Sequence, residues 1–132
     1  MEDIVSFETA LILKERGFDC PARKGYRENK ELDSFTFNES RTNDSLNRDK
    51  LDRKDFISVA PTFYAAAKWL REKHKLRVFV TQGVSGNFNF EIYKPPVVPN
   101  QIGRWDRVEN TASVNTYEEA LEVGINKALT LI

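Results

Sequence analysis

The stretch Ala60–Tyr93, APTFYAAAKWLREKHKLRVFVTQGVSGNFNFEIY, decides the fold. Phe63, Ala66, Ala67, Leu70 and His74 recur at helical spacing and mark one face of a helix. Pro61 stands at its start, where a missing N–H costs nothing. Lys73, His74 and Lys75 crowd the last turn, where the negative end of the helix favours cations. The hydrophobic period then drops from helical to twofold. Leu76, Val78 and Val80 alternate with Arg77, Phe79 and Thr81, and Phe88, Phe90 and Ile92 with Asn89, Glu91 and Tyr93. Between these runs, Gln82–Asn87 carries Gly83 and Gly86, which predicts an antiparallel hairpin.

Upstream, Ser6 caps a predicted helix to about Arg16. Phe7, Ala10, Leu11 and Lys14 share one side, with Ile12 and Leu13 adding apolar width. Gly17 supplies a left-handed ending, with Phe18 folding back onto Leu13. Ala22–Arg27 and Leu32–Phe37 flank a polar turn, Glu28–Glu31, and read as a first hairpin. Asn38–Asp55 has ten charged residues of eighteen, five of each sign, too little apolar surface to offset ordering entropy. A mobile loop at 38–55, with a short helical turn around Leu46–Leu51, is the expectation, and a segment that orders on a partner is the alternative. Downstream, Pro95, Pro96 and Pro99 exclude a central strand, so 95–105 is a proline-rich loop. A further strand at Trp105–Val108 is left open. Thr116 and Glu119 form a capping box for a final helix, with Tyr117, Leu121, Ile125, Ala128, Leu129 and Ile132 along one face. Gly124 falls on that face, as a point of close packing rather than a break. The sum is one α+β domain over residues 1–132, about three helices on a small antiparallel sheet made of two hairpins.

Composition narrows the function. The chain has 132 residues, 20 Lys+Arg against 20 Asp+Glu, and 40% hydrophobic residues, enough for a self-sufficient core. Zero net charge argues against binding polyanions with the whole surface. One Cys, Cys20, excludes an internal disulfide framework and thiolate-pair zinc sites. Cys20 itself reads as a small buried apolar residue. One His, His74, sits on the apolar face of the second helix and reads as a core or boundary residue rather than a base for a nucleophilic triad. The acidic residues show no ligand spacing, and no phosphate-binding loop is present, so neither enzymatic activity, a metal nor a cofactor is expected. The acidic start Met1–Val5 and the lack of an apolar run near the roughly 20 residues that span a bilayer predict a cytoplasmic protein without a membrane partner.

What remains is a local asymmetry. Tyr64, Lys68, Arg71 and Lys75 form a stripe away from the predicted core face, with Lys73, His74 and Arg77 nearby and only Glu72 in opposition. Beside an exposed Tyr64 and Trp69, these cations suit phosphate contact and base stacking. The alternative is an ordinary solvated helix face. A second candidate surface is Pro95–Trp105, with Trp105 as an apolar anchor, or else a loop that covers the sheet and buries Trp105.

Three stretches taken together, Ala60-Pro61-Thr62, Trp69–His74 (WLREKH) and Thr116–Glu122 (TYEEALE) with Gly124, Ala128-Leu129 and Leu131-Ile132, resemble small proteins of bacteriophages and mobile elements of Bacteroidetes-type bacteria. The resemblance spans roughly Ser6–Ile132 and is specific over the second and last helices. It implies scaffold at the matched positions and no catalytic residue. Small phage proteins of this type sometimes disable a host defence system, as anti-CRISPR proteins do. The expectation is therefore a non-enzymatic inhibitor binding an RNA-guided nuclease or its guide RNA. A small nucleic-acid-binding accessory protein is the alternative, and a hydrolase relying on carboxylates alone a third class.

Overall fold

The computed structural model describes residues 3–35, 39–48, 56–83, 86–95, 106–110 and 114–132. They form an α+β protein with antiparallel strand pairing. Its compact units are two, 1–66 and 67–132, and the division falls inside a helix.

In the first unit, helix α1 (Phe7–Glu15) starts and stops on the signals the sequence carries. The Ser6 hydroxyl accepts the Thr9 N–H at 3.3 Å. Gly17 takes φ +90°, the Phe18 N–H donates to the Leu13 carbonyl at 2.9 Å, and the Gly17 N–H donates to Lys14 at 3.1 Å. Thr9, Ala10 and Leu13 are buried, whereas Phe7, Leu11 and Lys14, expected on one side with Ala10, are half-buried, and the Lys14 ammonium donates to the Ile57 carbonyl. Cys20 is half-buried with its Sγ 3.9 Å from Asp19 Oδ1, not a core residue.

The first hairpin, β1 (Lys24–Arg27) and β2 (Leu32–Ser34), closes where Glu28–Glu31 predicts. Lys30 takes φ +72°, and the Asn29 side chain accepts the Glu31 N–H at 3.1 Å. Helix α2 (Asn43–Arg48) occupies part of the segment expected as a loop. It overlaps the helical turn expected around Leu46–Leu51 but starts three residues earlier, and two residues hold it in place. Leu46 is buried, and buried Asn43 donates to the Phe18 carbonyl at 3.2 Å while accepting the Val59 N–H at 3.0 Å. Of the expected loop, 38 and 49–55 lie outside the described residues.

Strand β3 (Phe56–Val59) has no counterpart in the sequence reading. It pairs antiparallel with β1, giving the order β2-β1-β3. Four residues, three apolar and one serine, are too short to show the alternation that marks a half-buried strand, and Phe56, Ser58 and Val59 are all buried. Gly25 in β1 permits the packing. A Cβ there would stand 2.5 Å from Phe35 Cζ and 2.8 Å from the Ser58 carbonyl oxygen.

Helix α3 (Phe63–His74) begins two residues later than Pro61 suggests. The Thr62 hydroxyl caps it by accepting the Ala65 N–H at 3.1 Å, and Pro61 stands before the cap. Its apolar face is as the spacing predicts, with Phe63, Ala66 and Leu70 buried and Ala67 and His74 half-buried.

In the second unit, β4 (Arg77–Gln82) and β5 (Phe88–Lys94) form the expected hairpin, in the register Arg77↔Tyr93, Phe79↔Glu91, Gln82↔Phe88. β6 (Asp106–Asn110) adds a third strand, order β4-β5-β6, so each hairpin sits in its own three-stranded sheet rather than both in one. Helix α4 (Tyr117–Leu129) is capped as predicted, the Thr116 hydroxyl accepting the Glu119 N–H at 3.1 Å. It packs on β4 and β5. Ala120, Gly124, Ile125, Ala128 and Leu129 are buried, whereas Tyr117, expected on that face, is 49% exposed with its ring edge-on to Phe88. Gly124 is the close-packing point. A Cβ there would lie 2.7 Å from Val78 Cγ1 and 3.1 Å from Phe90 Cβ.

Candidate functional site: the cationic end of α3 and the start of β4

The candidate surface follows from how α3 ends. Lys75, the residue after the helix, takes the left-handed conformation at φ +57°, and the Leu76 N–H closes on the Leu70 carbonyl at 3.1 Å. A lysine costs about 1 kcal/mol more than glycine in that conformation. Its ammonium offsets part of this by donating to the Glu72 carbonyl at 3.2 Å, at the negative helix end. The tight ending sends the chain directly into β4. Arg77 at its first position then lines the same groove as Arg71 from the last turns of α3.

That groove has a volume of about 320 Å³ and is lined by Ala67, Arg71, Arg77, Val78 and Phe79. Within β4 the pleat sets Val78 apart from Arg77 and Phe79. Val78 and Phe90 point at Gly124 and hence at α4, so Arg77, Phe79 and Thr81, with Asn89, Glu91 and Tyr93 on β5, belong to the opposite face. Phe79 is 46% exposed there. Its ring meets Tyr93 edge-to-face, with centroids 5.6 Å apart and planes at 75°, and the Tyr93 hydroxyl donates to Glu91 Oε2 at 2.7 Å.

The predicted stripe is only partly gathered. Lys68, Arg71 and Lys75 are exposed on or just after α3, and half-buried Arg77 joins Arg71 at the groove. Lys68 stands 4.0 Å from Glu72, an exposed helical pair worth about 0.3–0.5 kcal/mol and readily exchanged for a stronger partner. Tyr64 is 71% exposed but belongs to the first unit and is not among the groove residues. Trp69, expected as an exposed stacking ring, is 3% exposed, its indole edge-on to His74 at 4.7 Å. Trp105 lies outside the described residues. The aromatic at the groove is instead Phe79. Its placement among Arg77 and Thr81 in the strand alternation was the available signal, since a phenyl on a polar face has no core to enter.

A smaller cleft of about 220 Å³ in the first unit, at Ala22, Lys24 and Thr62, has no aromatic lining residue. Among the described residues, no three His, Cys, Asp or Glu side chains are grouped to hold a metal ion, and no helix is long and apolar enough to cross a membrane. Comparison with protein-family models, curated proteins and solved structures finds no match to this chain.

Proposed function

We propose that the protein is a non-enzymatic bacteriophage or mobile-element product that acts in the host cytoplasm by binding a macromolecule. In the preferred reading it is an anti-defence inhibitor of the anti-CRISPR type, and its partner is an RNA-guided nuclease or the guide RNA. The phage or mobile-element part of this reading rests on the resemblance of the second and last helices to small phage and mobile-element proteins, and the anti-defence part on what small phage proteins of that type sometimes do. The contact surface rests on one observation, the groove that brings Arg71 and Arg77 beside exposed Phe79. Cations of this kind steer an anionic partner and fix its register. The alternative, a nucleic-acid-binding accessory protein, uses the same surface and is favoured by the pairing of arginines with an aromatic ring.

The test is an interference assay in a host whose RNA-guided nuclease cuts a target plasmid, with recovery of the tagged protein from the same cells. The wild type protects the plasmid and co-purifies with the nuclease or its RNA. The double variant Arg71→Glu/Lys75→Glu loses at least about tenfold of its affinity, the equivalent of 1.4 kcal/mol. Lys75→Gly separates binding from folding, because glycine relieves the left-handed strain while deleting the cation. It should be no less stable than wild type yet weaker in binding. No protection together with no nuclease or RNA recovered at physiological salt would overturn the anti-defence reading. Binding of nucleic acid without protection would select the accessory role.

A further inference from the structure

We propose that the α3–β4 groove takes single-stranded nucleic acid, an unpaired base stacking on Phe79 while Arg71 and Arg77 hold the flanking phosphates. The inference rests on reading this surface as a macromolecular contact and goes further by naming the chemistry of the occupant. Phe79 is the starting point. The strand pleat commits its ring to the face away from α4, where it is 46% exposed and is one of the residues that line the groove. The ring is already braced. Tyr93 meets it edge-to-face at 5.6 Å, and Tyr93 is in turn held by Glu91 at 2.7 Å. An edge-to-face contact covers at most one face of the Phe79 ring, and a base docking on the other needs little further ordering of the protein.

Charge complementarity selects the ligand. Arg71 and Arg77 line the groove, and guanidinium groups match phosphate oxygens bidentately. Lys68 and Lys75 extend the cationic run along α3. Glu72 pairs with Lys68, and Glu91 accepts from Tyr93. A volume of about 320 Å³ is at the low end of pockets for small ligands, the scale of one nucleotide. A duplex would satisfy the arginines but keep its bases stacked away from Phe79. An acidic peptide would satisfy them with no planar group for the ring. A single strand supplies both an unstacked base and closely spaced phosphates.

Fluorescence anisotropy with labelled oligouridine, oligothymidine and a duplex of equal length tests this on the full chain, with circular dichroism confirming the fold of each variant. Wild type should bind one or both single strands more tightly than the duplex. Phe79→Ala should weaken that binding about 5- to 150-fold, whereas Phe79→Tyr and Phe79→Trp should retain it. The logarithmic salt slope should be unchanged by Phe79→Ala and fall by about 0.7 in Arg71→Ala, the signature of one lost phosphate contact on a single strand. Equal affinity for duplex and single strand, or full affinity in Phe79→Ala, overturns the proposal. If the single strands fail but Arg71→Glu/Lys75→Glu still abolishes plasmid protection, only the ligand assignment falls. Protection that survives the double charge reversal removes the surface reading itself.

Discussion

Replacing Gly124 with Ala separates two physical effects of opposite sign. Gly124 lies in the interior of α4, where alanine is a better helix former by about 0.8–1.0 kcal/mol. Helix propensity alone therefore says that the variant is stabilised by about 1 kcal/mol. The packing says otherwise. The new Cβ would stand 2.7 Å from Val78 Cγ1, 3.1 Å from Phe90 Cβ and 3.2 Å from Phe90 Cγ, against about 3.5–4.0 Å for comfortable carbon contact. Val78 is β-branched and stiff about its first torsion, so the methyl cannot swing aside cheaply. Overpacking of this kind costs about 1–3 kcal/mol. The balance is a net loss of about 1 kcal/mol, read as a urea midpoint lowered by about 0.5 M for an m-value near 2 kcal/mol/M. Both tryptophans of the chain fall in residues 67–132, so their fluorescence follows this unit. Val78→Ala removes the methyl that collides, and in that background Gly124→Ala should cost at least about 1 kcal/mol less. A Gly124→Ala variant stabilised by the full propensity term, or no coupling to Val78, would refute the close approach of α4 to β4.

Two more outcomes follow from the first unit. Asn43→Ala strands the buried Val59 N–H and Phe18 carbonyl, at a cost of about 2–4 kcal/mol; amide exchange at Val59 should rise with it, and unchanged protection would show that α2 is not latched by this side chain. Asp33 is held below the usual carboxylate range, first by the Arg27 side chain at 3.1 Å and then by the Ser34 N–H at 2.8 Å. The folded state thus favours its ionised form. Its contribution to stability is present above the ordinary carboxylate pKa and disappears as pH falls through the lowered one. An NMR titration should show the Asp33 midpoint rising in Arg27→Ala, and a midpoint indifferent to Arg27 would remove this account.

By itself the sequence determined the elements whose signals are local. The caps at Ser6 and Thr116, the Gly17 ending of α1 and the β4–β5 alternation are all where neighbouring residues place them. These depend on backbone groups within a few residues, so they are written in short spans. Tertiary structure decided the rest. β3 exists because β1 offers it an edge and Gly25 leaves room. α2 is ordered by Asn43 bonding to Phe18 and Val59, residues 25 and 16 positions away. The same holds at the candidate site. Spacing picked out Lys68, Arg71, Lys75 and Arg77, but placed Trp69 in solvent and left Phe79 unremarked. Which aromatic is buried depends on what covers each face of helix and sheet. A charge pattern is a property of one helix, whereas a groove needs two elements to meet.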